Sequence, residues 1–177
     1  MDLKPIFFSN QNRSNRIRLQ TLILLRWVAV VGQLTAILVS IQFYDLKLEL
    51  GLCLMTVGVS VIGNLVASFI FPENKRLSES ENLLTVVFDL LQLSVLLYLT
   101  GGLHNPFAIL VIAPVTVSAA ALSLRSTIMI GTLAMVIISL LGEYHLSLRT
   151  NAGTILQLPG VFVFGNWAAL IIALVFV

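Results

Sequence analysis

The sequence predicts an all-α integral membrane protein with six transmembrane helices, short loops and both termini on the cytoplasmic side. Three observations carry that reading. Of 177 residues, 58% are hydrophobic and only 10% charged, with a mean hydropathy of +1.02; soluble domains carry about 25% charged residues. The apolar residues gather into runs at 21–43, 48–71, 83–100, 107–124, 126–142 and 160–177, each near the length a bilayer demands. The basic residues between the runs favour one side. With the N-terminus inside, Lys4, Arg13, Arg16, Arg18, Lys75, Arg76 and Arg125 are cytoplasmic, against Lys47 and Arg149 outside.

Residues 1–20 lean polar and form a cytoplasmic N-terminal segment. No apolar stretch with a small-residue cleavage site comes early enough for a signal peptide, so the first run stays in the mature protein. Residues 21–177 form the membrane domain. Cys53, in the second run, is the single cysteine and excludes an internal disulfide or a cysteine metal cluster. The polar segment Pro72–Asn82 leads into the third run. Arg125 alone divides the fourth run from the fifth, so 107–142 reads either as two spans, which we favour, or as a re-entrant hairpin whose turn needs burial in protein. Pro114 is expected to kink the fourth span. The last run ends Ala-Leu-Val-Phe-Val with no polar flank, which suggests a parent chain that continues.

Ionisable groups at membrane depth need a partner or a task. Arg26 and Asp89 lie at similar distances into the first and third runs, which point the same way, and an ion pair between them is expected. Asn64, on the returning second run, reaches the same level and is placed to join them. The alternative is that Arg26 snorkels to the head groups while Asp89 stays wetted. Gln33 lies seven positions after Arg26 and Gln92 three after Asp89, so each helix carries a polar stripe on one face. Amides of this kind commonly hold membrane helices together; a polar relay toward the outer loop is the sharper reading.

That loop is the segment Gly101-Gly102-Leu103-His104-Asn105-Pro106-Phe107. Two readings remain open. In one, Gly101 and Gly102 end a helix, Asn105 caps the next, Pro106 takes its first position and Phe107 anchors the boundary. Spacing alone favours this. In the other, the loop holds a flat ring bearing two carbonyls. Phe107 would stack, the Asn105 amide would donate or accept, and the glycines would let backbone N–H groups approach. Tyr98 and Trp167 would then complete an aromatic wall. His104 and His145 read as solvated loop residues, and no ligand set for a metal is present.

The heptapeptide resembles the GGxxNPF element of the RegB/PrrB/ActS redox-responsive sensor histidine kinases. Arg26-Trp27 with Gly32-Gln33, and Asp89 with Gln92, are also similar to that family. The resemblance implies the membrane sensor half of a two-component kinase. Ubiquinone would bind near the outer loop at Gly101, Gly102, Asn105, Pro106 and Phe107, and its redox state would govern autophosphorylation of a cytoplasmic histidine. Leu103 and His104 occupy variable positions and inherit no role. ATP and Mg would belong to a kinase region beyond residue 177, as would the family's redox cysteine. A homodimer, a cognate response regulator and a bacterial inner-membrane location follow from the same resemblance, with no direct contact to nucleic acid. Two other classes compete: a small carrier or channel lined by the polar stripes, and a purely structural membrane anchor. No nucleophile–base pair or phosphate loop is present, so these 177 residues are expected to catalyse nothing.

Overall fold

The computed structural model describes residues 19–70 and 78–177. The cationic residues Lys4, Arg13, Arg16, Arg18, Lys75 and Arg76 lie outside the described residues, as does nearly all of the expected N-terminal segment. Six helices follow in order: α1 (Leu19–Gln42), α2 (Leu50–Ile70), α3 (Glu79–Leu99), α4 (Ile112–Ala121), α5 (Leu124–Glu143) and α6 (Gly160–Phe176). The strands β1 (Leu46–Lys47) and β2 (Arg149–Thr150) pair antiparallel, Leu46 opposite Thr150. They join the α1–α2 turn to the long α5–α6 connection at one end of the bundle.

Among the described residues α1, α2, α3 and α5 are long and apolar enough to cross a bilayer. Their bounds fall within a few residues of the apolar runs. The fourth run differs. It opens as 3-10 helix over Pro106–Val111 and becomes α-helical only at Ile112. Pro114 falls in the first turn of α4, directly after the 3-10 stretch. The winding changes at Val111–Ile112, just before Pro114. The tighter winding lengthens the segment. Six residues at about 2.0 Å and ten at about 1.5 Å give roughly 27 Å, close to the hydrocarbon thickness of about 30 Å.

The far end of α4 reaches the start of α3. Ser123 caps α5, and Ser126 Oγ donates to Glu79 Oε1 at 2.8 Å. Thr127 Oγ1 donates to the Ser118 carbonyl at 3.1 Å. The 107–142 region is thus two antiparallel helices packed alongside α3.

The main core lies among α3, α4, α5 and α6, where Leu90, Val111, Ala134 and Ile138 are wholly enclosed. Ala134 lets the helices approach closely, as small residues do in membrane bundles. A second cluster of Val30, Ile37, Cys53, Val57 and Leu96 packs α1 and α2 onto α3. Cys53 is buried there as a small apolar filler. Large apolar side chains including Phe69, Leu84 and Val161 face outward, the arrangement that lipid accommodates and water does not.

Helix α3 begins with a capping box. Ser78 Oγ accepts from the Glu81 amide, and the Glu81 carboxylate accepts from the Ser78 amide at 2.8 Å. Replacing Ser78 with alanine should lower unfolding stability by about 1 kcal/mol, read as a shift in the thermal midpoint in detergent micelles. No shift would mean that the helix start is held by other contacts.

Candidate functional site

Helix α3 ends at Leu99, and the chain turns back within seven residues. Two glycines make that turn. Gly101 has φ +101° and Gly102 φ +57°, both in the left-handed region that other residues resist. Space is as restrictive as angle. A Cβ on Gly102 would lie 2.3 Å from the Leu141 carbonyl oxygen, and one on Gly101 would lie 2.7 Å from Leu148. The glycines thus bring the turn against α5 and the α5–α6 connection.

Asn105 fixes the rest of the loop. Its Nδ2 donates to the Thr100 carbonyl at 3.2 Å and to Thr100 Oγ1 at 2.7 Å, while Oδ1 accepts from the Phe107 amide at 2.8 Å. Asn105 is the cap of the 3-10 stretch, with Pro106 at its first position. Both amide donors are committed within the loop, which leaves a ligand one lone pair on Oδ1.

Beneath this loop lies a cavity of about 470 Å³, within the range of roughly 300–1,000 Å³ for small-molecule sites. Asn105, Pro106 and Phe107 line its loop end with Thr100 and His104. Gln33 and Leu93 line it lower down, and Leu148 with Leu156–Leu158 cross it from the α5–α6 connection. Phe107 is 43% exposed, so its ring is available to an occupant. Gly101 and Gly102 shape the turn without lining the cavity. Tyr98 and Trp167 stand elsewhere, and no aromatic wall forms from them. The Tyr98 carbonyl accepts from the Leu146 amide at 2.9 Å. Trp167 donates to Ser139 Oγ at 3.0 Å in a separate groove beside α6. The aromatic partner that does line the cavity is Tyr44, from the turn after α1. Nothing in the sequence had singled it out.

The polar stripes meet. Gln33 Nε2 donates to Gln92 Oε1 at 3.3 Å, and Gln92 Nε2 donates to Gln33 Oε1 at 3.1 Å, both side chains buried. Two turns further along, Arg26 Nε lies 2.8 Å from Asp89 Oδ1. Its Nη2 donates to the Thr85 carbonyl at 3.1 Å, and the guanidinium lies 5.6 Å from the Phe88 ring centroid. Arg26 points across to α3 and does not stretch toward the head groups. Asn64 is fully buried but bonds elsewhere: its Nδ2 donates to the Ile23 carbonyl at 3.2 Å, tying α2 to α1.

His104, expected to be a solvated loop residue, is half-buried and bonded. Its Nδ1 accepts from the Leu158 amide at 3.0 Å, and its ring centroid lies 4.9 Å from that of His145. Burial, then the neighbouring His145, holds the His104 imidazole below the ordinary histidine value. Sequence spacing carried no signal for this contact, because Leu158 is 54 residues away.

Comparison with known proteins agrees with the family resemblance. The chain is 48% identical, over 168 residues and 95% of its length, to Sensor histidine kinase RegB of Cereibacter sphaeroides. The same identity and coverage hold for RegB of a designated strain of that species. The chain spans 36% of the length of these curated relatives. No solved structure matches it. Residues 9–165 match the family described as PilS-like transmembrane domain. By that match, this multi-pass membrane chain belongs to the PilS-like transmembrane domain family.

Proposed function

We propose that residues 21–177 are the membrane sensor domain of a histidine kinase, binding ubiquinone in the cavity beneath the outer loop. The observation that carries this is the cavity itself. It is apolar over most of its lining, offers the Phe107 ring at one end and the Gln33 side chain lower down, and lies between helices that face lipid. A flat head group with a long isoprenoid tail suits such a site. Phe107 would stack on the ring, Tyr44 and Leu110 would exclude water from it, and Gln33 would supply a polar contact. Bound quinone supplies a ring whose two oxygens are carbonyls when oxidised and hydroxyls when reduced.

Signalling then requires that the side chains of the cavity hold one form more tightly than the other. The connection carrying Leu156–Leu158 crosses the cavity and runs directly into α6, so a difference at the loop reaches the last helix. In this reading the termini are cytoplasmic, the domain sits as a homodimer in a bacterial inner membrane, and the remainder of the parent carries ATP, Mg and the contact to a response regulator. The kinship with RegB supports it. The test uses the full-length parent in proteoliposomes, with autophosphorylation followed against the ubiquinone to ubiquinol ratio. Replacing Phe107 with alanine should weaken the quinone response roughly tenfold, as loss of about 1.4 kcal/mol of aromatic contact gives. An unaltered response would remove this cavity from the mechanism.

A further inference from the structure

His104 stands where the cavity, the α5–α6 connection and the groove beside α6 meet. A neutral imidazole has one N–H and one lone pair, and which nitrogen holds the proton is set by the partner of the other. Here the Leu158 amide donates to Nδ1. A backbone N–H cannot accept, so Nδ1 carries the lone pair and Nε2 the proton. That Nε2–H has no hydrogen-bond acceptor among the described residues. Of the neighbouring polar groups, the Asn105 amide donors go to Thr100, and the Thr100 hydroxyl donates to the Leu96 carbonyl at 2.8 Å. Beside the Gln157 amide and the Tyr44 hydroxyl, His104 thus lines the cavity with a donor whose tautomer is fixed by the Leu158 amide and which has no protein partner among the described residues.

We propose, on the basis of the quinone reading above, that His104 Nε2–H is the hydrogen-bond donor to a carbonyl of the bound ring. Its Nδ1 at the same time holds the segment that leads into α6. The two nitrogens face two partners, so one side chain links the ligand to the last helix. It also ranks the two redox forms. A quinone carbonyl needs only a donor. A quinol hydroxyl brings its own proton, which needs an acceptor, and the imidazole lone pair is already taken by Leu158.

Two substitutions separate the two nitrogens. In His104→Asn the amide oxygen replaces Nδ1 toward Leu158, and the donor to the cavity is lost. In His104→Gln the longer side chain returns an amide N–H to the position of Nε2. The chain, in lipid nanodiscs, is titrated with decylubiquinone and with decylubiquinol, and binding is read by tryptophan quenching. The Leu158 amide resonance reports the state of the connection. His104→Asn should weaken decylubiquinone about tenfold and decylubiquinol less than about threefold, whereas His104→Gln should stay within about threefold of wild type for decylubiquinone. Wild-type decylubiquinone affinity in His104→Asn, with Phe107→Ala still weakening it, would overturn the role of His104 and leave the cavity reading standing. Equal loss of both forms in His104→Asn and His104→Gln, with a displaced Leu158 resonance, would reduce His104 to a structural tie and overturn the proposal. Failure of wild type to bind either form would end the cavity reading and this proposal together.

Discussion

Replacing Asp89 with alanine should destabilise the folded domain by about 2–3 kcal/mol, somewhat below the cost of about 3–5 kcal/mol for a fully buried pair, because Asp89 is 28% exposed. Arg26 Nε lies 2.8 Å and 3.0 Å from the two Asp89 oxygens. Without them the guanidinium keeps the Thr85 carbonyl and the face of Phe88, neither of which neutralises it. Arg26 is 15% exposed and well inside α1, so water offers little relief. The double change Arg26→Met with Asp89→Leu should recover most of the loss, because matched apolar side chains often replace an enclosed ion pair at no cost. Unfolding in mixed micelles would measure both. A single-site loss below about 1 kcal/mol would show a pair no stronger than one at a protein surface.

Gly102→Ala should cost roughly 2–4 kcal/mol, from the left-handed backbone and from overpacking together. The added methyl would meet the Leu141 carbonyl oxygen at 2.3 Å and His145 at 2.8 Å. The first contact is backbone within a helix and has little freedom to give way. Gly153 provides the control. It has φ +85° but open space where a Cβ would go, so Gly153→Ala should cost only about 1–2 kcal/mol. Equal losses at the two glycines would show that angle, and not contact with α5, fixes the turn.

These two sites differ in how far they were readable in the sequence. Arg26 and Asp89 were legible because charges are rare in apolar runs, and parallel helices put equal depths side by side. Gln33 and Gln92 followed from helical periodicity. The glycines were legible as a turn, but their partners were not, since Leu141 and Leu148 approach only after α5 has packed. Asn105 was legible as a cap from its place before Pro106. His104 was misread because its meaning lies in Leu158, and nothing local foretells a bond spanning 54 residues. Tyr98 and Trp167 failed as cavity residues for a rotational reason. Both lie at the expected level but on faces turned elsewhere, and level is what hydropathy reports. The 3-10 start of the fourth run was hidden as well, because apolar residues serve either winding equally.

That winding has a consequence for the surrounding lipid. Helix α1 offers an apolar span of 20 residues, Ile23–Gln42, about 30 Å of α-helix, whereas the Pro106–Ala121 stretch is nearer 27 Å and exposes Ile109 and Leu110 on the perimeter. One flank of the bundle is therefore taller than the other. Annular acyl chains beside the short flank must compress or α1 must tilt, at fractions of a kcal/mol per ångström of mismatch. Bilayer thickness thereby acts on the same flank that bears the Phe107 loop.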